Sequence, residues 1–87
     1  MIHAKMLTDK KGEAAVGEIE KWANRVAHSV NDKVQASVYH DPDSSTYVMR
    51  LAKGNRVLLF RLSEAQVGTS GREQECEKIV KRKTKSF

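Results

Sequence analysis

At 87 residues the chain is one domain, and folding at this length buries only about 60 to 65% of the unfolded chain's surface, which argues against a deep multi-part active site. A single cysteine, Cys76, excludes an intrachain disulfide, and no stretch approaches the roughly 20 apolar residues of a membrane span. The opening "MIHAKMLTDKKGE" lacks a signal peptide's apolar run, so a cytoplasmic chain with no membrane partner is expected, and the net charge of +5 raises the question of an acidic partner.

Taken in chain order, Ile2, Ala4 and Met6 alternate and suggest a short first strand over Met1 to Leu7, in a terminal region (1–8) otherwise expected to be flexible. From Glu13 to Val30 the apolar residues Ala15, Val16, Ile19, Trp22, Ala23, Val26, Ala27 and Val30 recur at the three-and-four spacing of one buried helical stripe. Thr8 or Asp9 is the expected cap, and "NDK" after Val30 is the expected exit. Gly17, inside the stripe's span, costs about 1 kcal/mol relative to Ala unless it marks a close approach to a strand.

The period then changes to two. "KVQASVYH" places Val34, Ala36, Val38 and His40 on one side, "DPDSS" turns the chain, "TYVMRLA" forms a second strand, and "RVLLFRL" forms a third after a Gly54-Asn55 hairpin turn. A two-residue loop at 54–55 sets Leu51 against Leu58, Met49 against Phe60 and Tyr47 against Leu62. A four-residue loop at 42–45 sets Val38 against Met49 and Ala36 against Leu51. Two independent loop lengths therefore select the same apolar face, the mark of a three-stranded antiparallel meander.

After the sheet, Ser63 with Gln66 and Ser70 with Glu73 each match a capping box, so two helix starts are expected. The reading is a short turn from Ser63 to Val67, a loosening at "GTSG" and a main helix from about Gly71 to Arg82 with Cys76, Ile79 and Val80 inward, the alternative being one continuous helix from Ser63. Residues 84–87 are expected to be a flexible tail. The predicted fold is α+β in two layers: a helix, a three-stranded antiparallel meander sheet and a helix, with both helices on one sheet face. The opposite face stays open and carries Tyr39, Val48, Arg50, Val57, Leu59 and Arg61.

This order of elements over residues 13–84 resembles that of the double-stranded RNA-binding domain, and the resemblance implies the same arrangement of helices on a sheet. The two positions where that family grips phosphates are "HDPDSS" and "SGREQECE" here, both acidic, so no binding residue is carried over.

Charge is unevenly placed. Lys78, Lys81, Arg82, Lys83 and Lys85 supply five of the 16 basic residues, and the remaining 11 match the 11 acidic ones. Glu73, Glu75 and Glu77 at one end of the last helix and the lysines at the other complement its dipole, and Glu77 with Lys81 forms a spacing-four pair. With Arg50 and Arg61, these five are the candidate nucleic-acid contacts. Tyr39, Val48 and Leu59 are the candidate self-association face.

His3, His28 and His40 fall in separate segments without a metal-ligand spacing, and no nucleophile elbow, phosphate loop or zinc motif occurs, so no catalytic residue, cofactor or metal is assigned. His40, beside Asp41 and Asp43, is the strongest candidate for a small-ligand or catalytic role and otherwise reads as a strand-end histidine. The expectation is a small non-enzymatic interaction module that self-associates through the open sheet face or a strand edge. The alternative is a nucleic-acid-binding protein that uses the basic helix end.

Overall fold

The computed structural model describes residues 8–87, so the strand suggested for Met1 to Leu7 lies outside the described residues. Helix α1 spans Glu13–Val30 and buries Ala15, Ile19, Trp22, Ala23, Val26 and Ala27, the stripe read from the spacing. Its cap differs from the expectation. Gly12 is the N-cap, at φ 61 and without a side-chain bond, whereas the buried Thr8 hydroxyl donates to the Glu18 carboxylate. The left-handed angle lets the chain turn into the helix while the Gly12 amide donates to the Tyr47 hydroxyl at 2.9 Å. Gly17 faces open space, so its place in the stripe is tolerance and not close packing. Asn31 ends the helix, its amide bonded to the Ala27 carbonyl and its side chain accepting from the Lys33 amide.

Strands β1 (Gln35–Asp41), β2 (Thr46–Lys53) and β3 (Arg56–Ser63) form one antiparallel sheet in the order β1-β2-β3. Both hairpins adopt the predicted register, with Val38 opposite Met49, Met49 opposite Phe60 and Leu51 opposite Leu58. Gly54 at φ 62 supplies the positive angle of the tight turn.

Two helices follow, not one. Helix α2 (Glu64–Gly68) starts from a complete capping box: the Gln66 amide donates to Ser63 Oγ at 3.0 Å, and the Ser63 amide donates to Gln66 Oε1 at 2.9 Å. Helix α3 (Glu73–Thr84) begins two residues later than expected, with Arg72 as its N-cap; Gly71 at φ 94 redirects the chain, and its amide bonds to the Glu73 carboxylate. The second capping box therefore does not set the helix start. At the other end α3 continues past Arg82 to Thr84, which is buried and donates its hydroxyl to the Val80 carbonyl at 2.7 Å. Phe87 packs against the core, so the last four residues are anchored at both their first and last positions.

The core joins the α1 stripe to the inner sheet face (Ala36, Val38, Tyr47, Met49, Leu51, Leu62) and to Val67, Cys76 and Val80. Helix α1 packs on β1, and α3 packs on α1. The Lys83 ammonium lies 5.9 Å from the Phe60 ring, which places the end of α3 over β3 on that same face.

Candidate interaction surface

In an antiparallel meander the outer strands present alternate backbone groups away from their neighbours, and those groups need partners or water. On β1 the outward groups belong to Ala36, Val38 and His40, and α1 takes both groups of Ala36 and the amide of Val38. Asn24 accepts the Ala36 amide at 2.9 Å and donates to the Ala36 carbonyl at 2.9 Å, while Glu20 Oε2 accepts the Val38 amide at 3.0 Å. The side chains of one helix thus imitate a neighbouring strand.

Among the described residues strand β3 has no such cover. By the register of its pairing with β2, its outward backbone groups belong to Val57, Leu59, Arg61 and Ser63. The Ser63 amide is taken by Gln66 in the capping box. At Val57, Leu59 and Arg61 the outward amides and carbonyls meet no partner among the described residues. The side chains of these three residues lie on the open sheet face, where Leu59 is 63% exposed and Val57 44%. Tyr39, across the same face, is 56% exposed. On the inner side of the same edge Leu58, Phe60 and Phe87 are half-buried, so apolar groups flank the bare backbone on both faces.

Val48 departs from the expectation. It shares the open face, but its two register neighbours there are Tyr39 and Arg61, and it is only 3% exposed, so it offers no surface to a partner. The shallow depression over it is walled by Tyr39, Leu59, Phe60 and Arg61.

The seven candidate nucleic-acid residues do not form one surface. The Arg61 guanidinium is occupied, donating to Asp41 Oδ2 at 2.9 Å, Thr46 Oγ1 at 2.8 Å and Ser44 Oγ at 3.1 Å. The Ser44 hydroxyl, and then this guanidinium, hold the Asp41 carboxyl below its ordinary range. Lys81 pairs with Glu77 at 3.3 Å, and Lys83 lies over Phe60. Arg50 on the open sheet face, Lys78 and Arg82 on α3, and Lys85 at its C-cap are exposed and make no ion pair with described residues.

His40 does not engage Asp41 or Asp43. Its Nε2 meets Glu64 Oε2 at the start of α2, its ring lies 5.2 Å from that of Tyr47, and a Cβ at Gly12 would come 3.5 Å from it. These contacts pin α2 and the approach to α1 onto the sheet. A recess of about 290 Å³ lies beside them, lined by Lys10, Lys11, Tyr47, Glu64 and Thr69, with no serine or cysteine nucleophile in it. Among the described residues no group of three or more His, Cys, Asp or Glu is placed to hold a metal, and no helix is long and apolar enough to cross a membrane.

The strand-capping pair Glu20 and Asn24 escaped sequence reasoning. The available signal was their spacing of four on the flank of the buried stripe, which reads as ordinary amphipathicity until the strand beside it is known. No family model matches the chain, and no curated protein or solved structure is significantly similar to it.

Proposed function

We propose that the chain is a small non-enzymatic interaction module that associates with a second copy of itself through the β3 side of its sheet. The observation that supports this is the difference between the two sheet edges: α1 side chains take both outward groups of Ala36 and the Val38 amide on β1, whereas at Val57, Leu59 and Arg61 the outward β3 groups have no partner among the described residues, between exposed Leu59 and Val57 on one face and half-buried Leu58 and Phe60 on the other. Strand addition is the general way for such an edge to gain partners, and a two-fold dimer is the commonest form. A contact of one added strand per copy is a weak, transient type, so dissociation constants of about 10 to 100 µM are expected.

Sedimentation velocity from about 1 µM to about 1 mM tests the reading. A concentration-dependent shift from monomer to dimer mass is expected, weakened about tenfold or more by Leu59→Lys, which substitutes an exposed residue and leaves the core intact. Monomer mass throughout that range overturns it. The nucleic-acid alternative rests on Arg50, Lys78, Arg82 and Lys85; a duplex held by those four would weaken with salt at a log–log slope of about −3.6. A titration at low salt that detects no binding removes that alternative.

A further inference from the structure

The bare edge also specifies how two copies meet, and we infer that they pair β3 against β3, antiparallel, with Leu59 opposite the partner's Leu59. This inference rests on the self-association reading and adds its register.

Among the described residues the outward groups without a partner occur at Val57, Leu59 and Arg61, and the run ends at Ser63, whose amide is consumed by Gln66. The set is symmetric about Leu59. An antiparallel partner saturates all of it in only one register: Val57 faces the partner's Arg61, Leu59 faces its own copy, and Arg61 faces the partner's Val57. Each of these pairs exchanges both of its hydrogen bonds. A slip of two residues toward the hairpin brings Asn55 into the ladder and leaves one free residue on each chain without its counterpart. A slip the other way brings in Ser63, whose amide is already engaged.

Side chains favour the same register. On the open face Leu59 meets its copy, and each Arg61, already neutralised by Asp41, lies beside a valine and not beside the other arginine. On the inner face Leu58 falls opposite the partner's Phe60, closing two half-buried apolar groups against each other. Arg56, at the hairpin end with its guanidinium 5.8 Å from the Phe87 ring, falls opposite the partner's Leu62. The product is a continuous six-stranded sheet with every helix on one side.

Site-directed crosslinking of the full chain tests the register. Val57→Cys, Leu59→Cys and Arg61→Cys are exposed to a mild thiol oxidant at a concentration where the unmodified chain is dimeric. Native Cys76 does not compete, because it is buried and its thiol is pushed up to about 11. Facing Leu59→Cys residues sit about 5.5 Å apart at their Cα atoms, within bridging range, while two Val57→Cys residues lie about 14 Å apart and beyond it. Leu59→Cys is therefore expected to form covalent dimer at least about tenfold faster than either other variant alone. Mixing Val57→Cys with Arg61→Cys is expected to restore fast crosslinking. A dimer by sedimentation in which Leu59→Cys crosslinks no faster than Val57→Cys refutes the register while leaving self-association standing. A chain that sediments as a monomer refutes both.

Discussion

Asn24→Ala is the most informative single substitution, because it removes the closure of one sheet edge without touching the core. Asn24 accepts the Ala36 amide, donates to the Ala36 carbonyl and also donates to the Glu20 carbonyl of its own helix at 3.0 Å. Losing it leaves two part-buried backbone groups on β1 without partners, each costing about 1 to 1.5 kcal/mol, for a loss of about 2 to 3 kcal/mol. A domain of this size is stable by roughly 4 to 13 kcal/mol, so the loss is a large share of the total. In urea, with a slope of about 1 kcal/mol per molar, the unfolding midpoint falls by about 2 to 3 M. Circular dichroism at low micromolar concentration, where the chain is monomeric, isolates this stability term. The same variant at high concentration has two open edges, so sedimentation should show species larger than a dimer. Glu20→Gln serves as the control, since an amide oxygen still accepts the Val38 amide and the expected change is under about 0.5 kcal/mol. If Asn24→Ala shifts stability by less than about 0.5 kcal/mol and never passes beyond a dimer, water satisfies the β1 edge as well as Asn24 does, and the asymmetry between the edges carries no energy.

Other substitutions address the approach to α1 and the core. Gly12→Ala places a side chain at φ 61 and is expected to cost about 1 to 2 kcal/mol in a thermal melt; a neutral result would mean that the helix entry relaxes freely. Tyr47→Phe removes the hydroxyl that accepts the Gly12 amide and should cost about 1 kcal/mol, read from the urea midpoint, with no change if water replaces it. Burial raises the Cys76 thiol to about 11, above its unfolded value near 8.5, so its contribution is complete below about pH 8.5 and is lost as pH rises toward 11. Subtracting the pH profile of Cys76→Ala from that of the unmodified chain isolates this slope, and coincident profiles contradict it. In the native state at neutral pH, Cys76 should react with a disulfide reagent only as fast as the chain opens.

The sheet was legible in the sequence because strand parity is rigid: side chains alternate with period two, and two loop lengths had to agree on one apolar face, which left a single register. The helix break was legible for a related reason, since a capping box is a local bond pattern written within four residues. The first box forms the cap it predicts. At the second, Gly71 at a positive angle moves the start of α3 to Glu73, and backbone direction at a glycine is not encoded by the neighbouring side-chain pattern. For the interaction surface, parity correctly put Tyr39, Val57 and Leu59 on the open side and failed at Val48. Exposure there is decided by how far the side chains of Tyr39 and Arg61 extend across it, which depends on size and salt bridging and not on position along the strand.

Which edge is open could not be read at all, because closing β1 takes side chains 12 and 18 residues away in the chain, brought alongside only by folding. Under the pairing proposed above, that cover would also limit the stoichiometry. A sheet with two open edges can add copies at both and grow without limit, which is the usual route from strand pairing to aggregation. A sheet with one open edge behaves differently. In the proposed pair about a two-fold axis at Leu59, each copy would consume the other's free amides and carbonyls, and the outer edges of the six-stranded product would be the two β1 strands, where Asn24 and Glu20 take the Ala36 groups and the Val38 amide. On this account the stripe of α1 builds the core, while two polar residues on its flank stop assembly at a pair. Adding an acceptor at the β3 edge would close the second side and leave a monomer, whereas deleting Asn24 would open the first and permit growth.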